Sequence, residues 1–364
     1  MTRIAIVGAS SEITTDLIDV LVERGFDLAG LRVLADESLA GEAIEAAGYD
    51  VRVEPAVAGS LAGCEVAFFL GDGTLARELV PEASAEGAIV IDATPYSREE
   101  THAPVVLPEV NAGRLKELAG NGVIAVPSPH GVGLAVALAP LHEAATVRRV
   151  VTTVFESAAV RGREAMDTLS QQSVKLMQGR GFDHDESPEQ LAFNARPQAA
   201  ALDGDGWSVD ERRIAGDIAA LFGEPAPDVV ATVVRVPVFA GMAQSVYVEL
   251  ERPLGRDEAL QLLREGRGIL LPETFDAPAA EDEERLEDDE EFVDEEREAT
   301  YDLLHDESPG PVDVGGSEAV HVARLHADPR EPRALAFWIA FDELRKGTSL
   351  TLVATLEIAL RELR

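Results

Sequence analysis

The first hundred residues alternate short β-branched runs with segments of helical period, and this alternation constrains the fold more than any other feature of the chain. Arg3-Ile-Ala-Ile-Val7 ends in Gly8, and Ile13 to Arg24 then carries apolar residues at helical spacing, which reads as strand, tight turn and helix. A strand over Asp27 to Leu34, a helix over Glu42 to Ala47, a strand over Val51 to Val53 and a buried strand over Glu65 to Leu70 follow. Leu75 to Ala85 reads as helix and Ala88 to Asp92 as strand. Strands joined through helices pair in parallel, because a long crossover is needed to return the chain to the same end of a sheet. The expected architecture is therefore α/β, with an N-terminal Rossmann-type doubly wound parallel sheet of the nucleotide-binding kind.

The middle of the chain has another rhythm. Strand-like segments at Arg148 to Phe155, Val229 to Val238 and Ser245 to Leu250 are separated by helices near Gly162 to Met177 and Asp210 to Leu221, which fits an α+β second domain. A hydrophobic content of 46% over 364 residues supplies two packed cores. Pro272 to Gly316, rich in Pro, Asp and Glu, reads as a loop with a solvated and mobile acidic centre. Leu344 to Leu363 places Leu, Val and Ile at helical spacing and reads as one long amphipathic helix.

Charge and cysteine content exclude several functions. The net charge of −36 argues against a nucleic acid partner, whose phosphates most of this surface would repel. Glu281 to Glu298 alone holds 13 acids and two arginines, a net −11, so the remainder of the chain is acidic too. Such a surface suits a salt-rich cytoplasm or reflects ordinary drift, and composition does not separate the two. Cys64 is the only cysteine, so neither a disulfide framework nor a cysteine-based metal site is expected, and no metal is assigned. No stretch approaches the roughly 20 apolar residues of a membrane span and no export signal is visible. A cytoplasmic location without a membrane partner is the expectation.

Five stretches carry a resemblance: Val105-Val-Leu-Pro-Glu-Val-Asn111, Ala137-Leu-Ala-Pro-Leu-His142, Gln190-Leu-Ala-Phe-Asn194, Arg235-Val-Pro-Val-Phe239 and Leu344-Arg-Lys-Gly347. In order and approximate spacing they resemble the aspartate-semialdehyde dehydrogenase family across nearly the whole chain. The resemblance implies a nucleotide domain over residues 1–128 completed by 344–364, and a catalytic and dimerisation domain over 129–343 that carries the acidic loop at 272–316. It implies a homodimer. It further implies NADP as cofactor, with phosphate, in the interconversion of aspartyl phosphate and aspartate semialdehyde through a cysteine thioester.

That chemistry needs a thiolate, which attacks the aldehyde and later leaves when phosphate attacks the thioester. Where the family has Asn-Pro-Asn-Cys, this chain has Val126-Pro127-Ser128-Pro129, so the resemblance puts proline at the nucleophile. The family's general-base histidine falls at Met242, which accepts no proton near neutral pH, and its orienting glutamine falls at Glu156, whose charge would oppose an anionic phosphate. Rescue by Ser128 would need a neighbouring base, and the position that would supply it is methionine. His130 reads as a loop histidine, and Cys64 as a small buried hydrophobe.

The nucleotide turn departs as well. The family's Gly-x-x-Gly-x-x-Gly becomes Gly8-Ala-Ser-Ser11-Glu-Ile-Thr14, so Gly8, Ser10, Ser11 and Ile13 are what remains to meet a nucleotide, with Ser11 and Thr14 crowding the diphosphate approach. Asp36 and Glu37 follow the second strand, where acids repel a 2′-phosphate and bond a ribose 2′-hydroxyl, which favours NAD over NADP. Glu343 stands at the family's nicotinamide-side asparagine. Against these losses, Arg98 matches the family's phosphate-binding arginine, Arg235 its substrate-carboxylate arginine and Arg213 a lysine, so a pocket for a small anionic ligand is one reading. The other pairs Arg235 with an acid such as Asp217.

Two functional readings follow. One is a non-catalytic dimeric homologue, a scaffold or an anion- or nucleotide-binding protein, similar to the cysteine-lacking paralogues of the family. The other is an active NAD(P)-dependent oxidoreductase acting on an aldehyde or acyl substrate in amino-acid biosynthesis.

Overall fold

The computed structural model describes residues 2–8, 11–117, 122–182, 189–197, 200–272 and 308–362. The acidic run from Glu281 to Glu298 and Ser10 of the nucleotide turn lie outside the described residues.

The alternation of the first hundred residues resolves into β1 (Ile4–Val7), α1 (Ser11–Glu23), β2 (Arg32–Ala35), β3 (Ala43–Ala46), β4 (Tyr49–Pro55), β5 (Val66–Phe69), α2 (Thr74–Ala85) and β6 (Ile89–Asp92). After α3 (Pro95–Glu99) and α4 (Pro108–Asn111), β7 (Val123–Ala125) completes a seven-stranded sheet in the order β3-β4-β2-β1-β5-β6-β7. Every pair in it is parallel except β3 with β4. β1, β5 and β6 are buried along their whole length, as strands covered on both faces must be.

The second sheet orders six strands as β11-β12-β13-β10-β8-β9 and is mixed. Its strands are β8 (Val147–Glu156), β9 (Asp228–Arg235), β10 (Met242–Leu250), β11 (Ile269–Leu270), β12 (Val320–Ala327) and β13 (Ala334–Phe341). Helices α5 (Pro129–Ala145), α6 (Arg163–Met177), α7 (Val209–Phe222), α8 (Arg256–Glu265) and α9 (Leu350–Glu362) complete the fold. Helix α5 is buried without interruption from His130 to Leu138. An apolar helix with no polar face has to be enclosed, and α5 packs against β13, α7 and α8 in the larger core.

Three expectations are corrected. Glu42 to Ala47 is not helical: Ala43–Ala46 pairs antiparallel with β4, and residues 43 to 46 alternate exposed and buried. Ala47 (φ 48°) and Gly48 (φ 77°) form the connection, and two successive positive φ values are what a tight hairpin turn needs. The second strand begins at Arg32 rather than Asp27, because the Asp27 carboxylate accepts from Ala29 N–H at 3.0 Å and holds that segment in a turn. The last helix runs unbroken from Arg345 to Glu362 but is α-helical only from Leu350. Gly347 N–H donates to Asp342 O and Ser349 N–H to Leu344 O, a wide turn over Arg345–Ser349 that precedes α9 and buries Lys346.

Gly133 fixes how closely α5 approaches β13. A Cβ there would lie 2.1 Å from the Phe341 ring, so Gly133→Ala is expected to overpack the junction and cost about 1–3 kcal/mol. The shift in denaturant midpoint at unchanged slope measures it.

Candidate functional site

Several elements end at one place: the start of α5, the ends of β8 and β9, the start of β10, and one face of α7. Ser128 caps α5 and Pro129 opens it. Proline suits a first helical position, where its missing N–H would have no partner in the helix anyway. Pro129, the residue expected at the nucleophile position, is thus part of a helix start, with Gly347 packed over it.

Asp217 lies opposite that helix start, fully buried on α7. It accepts from Ser128 N–H at 2.9 Å and from Ser128 Oγ at 2.6 Å, and it also takes the Arg98 guanidinium. Arg98 reaches it from the short α3, whose turn is built on another buried acid: Asp92 accepts from Thr94 N–H at 2.7 Å and Ser97 N–H at 3.0 Å. A carboxylate at the positive end of a helix and beside an arginine has donors on both sides. Gly131 leaves room for it, since a Cβ there would lie 2.7 Å from Asp217 Oδ2. Ser128 Oγ gives its proton to Asp217 and accepts from Gly131 N–H, and so caps α5. The pairing of Arg235 with Asp217 is thereby corrected: Asp217 takes Arg98, while Arg235 binds Glu189 at 3.2 Å.

A second ionic chain runs beside the first. His130 is a buried residue in the first turn of α5, not a loop histidine, and its Nε2–H donates to Glu156 Oε2 at 2.8 Å. Arg161 binds both oxygens of Glu156, at 2.9 and 3.1 Å, and also Asp210 of α7 at 2.5 Å. Burial pushes the Glu156 carboxyl up, but His130 and Arg161 together outweigh it and hold it below the ordinary carboxylate range. Asp210 behaves alike, with Arg161 overcoming burial. The expected repulsive charge at Glu156 is therefore neutralised inside the protein. Met242 is fully buried in the core of the second domain. Glu343 is buried as well and accepts from Ser157 Oγ at 2.5 Å and Gly241 N–H at 2.7 Å, while burial raises its carboxyl above the usual range.

The three cations expected to hold an anion are in different states. Arg98 and Arg235 are engaged by Asp217 and Glu189, and Arg213 carries a buried Nε–H without a hydrogen-bond partner. Burial and the neighbouring Arg98 both pull the Arg213 guanidinium below the ordinary arginine range. Arg235, Arg196, Asn194 and Glu156 line a cleft of only about 10 Å³, room for one water molecule. The sequence reading missed Arg161, which lies only five positions from Glu156, and Asp210 and Glu189, whose partners lie 49 and 46 positions away.

At the nucleotide end, Gly8 follows β1 with φ 81°, and a Cβ there would lie 2.3 Å from the Leu70 carbonyl oxygen. This glycine lets the turn after β1 pass over the end of β5, at the crevice where doubly wound sheets bind nucleotides. Ser11 opens α1. Ile13 packs against the core of the first domain, and Thr14 is fully buried. Asp36 and Glu37 are exposed just beyond β2. Among the described residues no group of three His, Cys, Asp or Glu side chains is placed to hold a metal ion, and no helix is long and apolar enough to cross a membrane. Cys64 is buried, and burial raises its thiol.

Two family models match: the NAD binding domain of semialdehyde dehydrogenase over residues 3–118, and the semialdehyde dehydrogenase dimerisation domain over residues 138–346. The chain belongs to the semialdehyde dehydrogenase family. This semialdehyde dehydrogenase homologue is 28% identical over 360 residues to aspartate-semialdehyde dehydrogenase 2 of Vibrio cholerae, covering 99% of this chain and 98% of the relative. It is 27% identical over 362 residues to aspartate-semialdehyde dehydrogenase of Aquifex aeolicus, again covering 99% and 98%. The crystal structure of the Vibrio cholerae enzyme, aspartate semialdehyde dehydrogenase II, superposes with a TM-score of 0.84 over 99% of this chain and 98% of that one. An aspartate semialdehyde dehydrogenase from Candida albicans, solved with NADP, shares the fold at a TM-score of 0.65 and 15% identity, over 100% of this chain and 99% of that one.

The two ionic chains make specific predictions. Removing Asp217 leaves Arg98 only the exposed Glu99 and takes the acceptor from Ser128, so Asp217→Ala is expected to destabilise by about 1–3 kcal/mol, whereas Arg235→Ala, whose partner is partly exposed, should cost about 0–1 kcal/mol. Glu156 and Asp210 have depressed folded values, so their stabilisation is complete above their unfolded values near pH ~4 and is lost as pH falls through the folded ones. Glu156→Gln should therefore flatten the acid limb of a stability-versus-pH curve measured by denaturant unfolding.

Proposed function

We propose that this aspartate-semialdehyde dehydrogenase homologue is a non-catalytic homodimer whose former reaction centre has become a structural ion-pair network. The observation that carries this reading is the start of α5, where Pro129 supplies no thiol, coupled to a fully buried methionine in place of the family's base. Thioester chemistry needs a sulfur nucleophile and a proton acceptor in reach of one carbonyl carbon. Here the polar groups around that point, Ser128, His130, Glu156 and Asp217, are engaged with one another or with arginines. The family's dimerisation domain supports the homodimer. The division that goes with it assigns residues 1–128 and 344–364 to the nucleotide unit and 129–343 to the dimerisation unit, each built on its own sheet.

The nucleotide crevice favours NAD over NADP in this reading. Gly8 keeps the tight turn after β1 at the mouth of the crevice, and the exposed carboxylate of Asp36 suits a ribose hydroxyl better than a 2′-phosphate. A bound nicotinamide would supply hydride chemistry that the residues opposite it are not equipped to use. Arg213 is the cation left for a small anion, with Arg98 and Arg235 already neutralised.

Aspartate semialdehyde, phosphate and either NADP or NAD mixed with the protein should give no nicotinamide reduction, and Pro129→Cys alone should restore none. Turnover at ordinary enzyme rates by the unaltered protein would establish an active oxidoreductase instead. Fluorescence titration is expected to show NADH binding tighter than NADPH, and the reverse order would overturn the role given to Asp36.

A further inference from the structure

We infer that the cavity between the C-terminal ends of α5, α7 and α8 is a binding site for a small organic cation with an apolar body. Its volume of about 940 Å³ is that of a cleft able to bury most of a small ligand, and it lies where the two domains meet, a preferred place for such clefts. It is separate from the former reaction centre. Helix α5 gives its first turn to that centre and the segment from Val136 to Ala144 to the cavity, roughly 15 Å further along the axis.

The walls supply an apolar surface. Val110 comes from α4 of the first domain, Val136 from α5, Leu221 and Phe222 from α7, and Leu262 from α8. The rings of His142 and Phe222 stand 4.7 Å apart, tilted 45° to each other, and add an aromatic wall. Val147 N–H donates to His142 Nδ1 at 3.3 Å, so the neutral ring carries its proton on Nε2. Burial holds this histidine below its usual range, and a neutral ring does not repel a cation.

The electrostatics choose the sign of the ligand. Glu109, Glu143 and Glu265 line the cavity against one positive side chain, Arg267. Glu109 binds Lys346 through Oε1, while its Oε2 is buried without a hydrogen-bond partner. Three helices also end here, at Ala145, Phe222 and Glu265, and a helix C-terminus carries partial negative charge. Two of those ends already attract cations: Arg114 donates to Ala220 O and Arg252 to Ala144 O, both at 2.8 Å. An ammonium group near Glu143 and Glu265, with its hydrocarbon along Val136, Leu221 and Leu262, would satisfy both surfaces and bridge the domains.

The test is calorimetric titration of the whole protein with n-hexylammonium and phenethylammonium, and with hexanol, 2-phenylethanol and hexanoate as controls. The ammonium ions are expected to bind about ten-fold tighter than the matching alcohols, the size of one charge-assisted contact, and hexanoate more weakly than either. Glu143 and Glu265 are exposed, so a Glu143→Gln, Glu265→Gln double variant should fold normally. It should lose the preference for ammonium while binding the alcohols unchanged. Equal affinity for amine and alcohol, an undiminished preference in the double variant, or no ammonium binding at millimolar concentration would each overturn the assignment.

Discussion

The contact on which the rest of this structure depends is the buried carboxylate of Asp217, which meets the N-terminus of α5 and the guanidinium of Arg98 at once. A charge removed from water is tolerated only when donors surround it, and here acceptor and donors come from three separate parts of the chain. Arg98 belongs to the first domain, Ser128 to the joint that leads into the central helix, and Asp217 to a helix packed on the second sheet. None of the three can move alone without exposing an uncompensated charge. The interaction therefore fixes how α3, α5 and α7 sit against one another, and with them the floor of the candidate site.

The second chain, His130–Glu156–Arg161–Asp210, repeats the principle one layer away. Ion pairs of this kind are weak sources of net stability and strong sources of geometry, because breaking one leaves its partner buried and unpaired. In a working thioester centre, a nucleophile, a base and an anion pocket have to remain available to substrate. Here Ser128, His130, Glu156 and Asp217 are engaged with each other or with arginines, and the cleft beside Arg235 measures about 10 Å³, the size of a water molecule.

The course of the first sheet was legible because β1, β5 and β6 are apolar along their whole length and the segments between them have helical period. Segment 42–47 was not, since Glu-Ala-Ile-Glu-Ala-Ala has helical composition and only the hairpin turn at Ala47 and Gly48 reveals a strand. At the site, Pro129, Glu156 and Met242 could be named from the sequence only as positions that the resemblance implies. The partners of those residues could not. Arg161 meets Asp210 across 49 positions and Arg98 meets Asp217 across 119, and neither spacing has a local signature.

The sequence by itself determined the class of fold, the presence of proline at position 129 with Cys64 as the single cysteine, and the presence of Arg98, Arg213 and Arg235. Those are matters of residue identity and short-range period, which a linear chain carries openly. Tertiary structure alone decided that Asp217 takes Arg98 rather than Arg235, that His130 lies inside a helix against Glu156, and that three helix ends enclose a cavity. Each of these depends on which charges are buried together, and burial is set by packing between segments far apart in the chain.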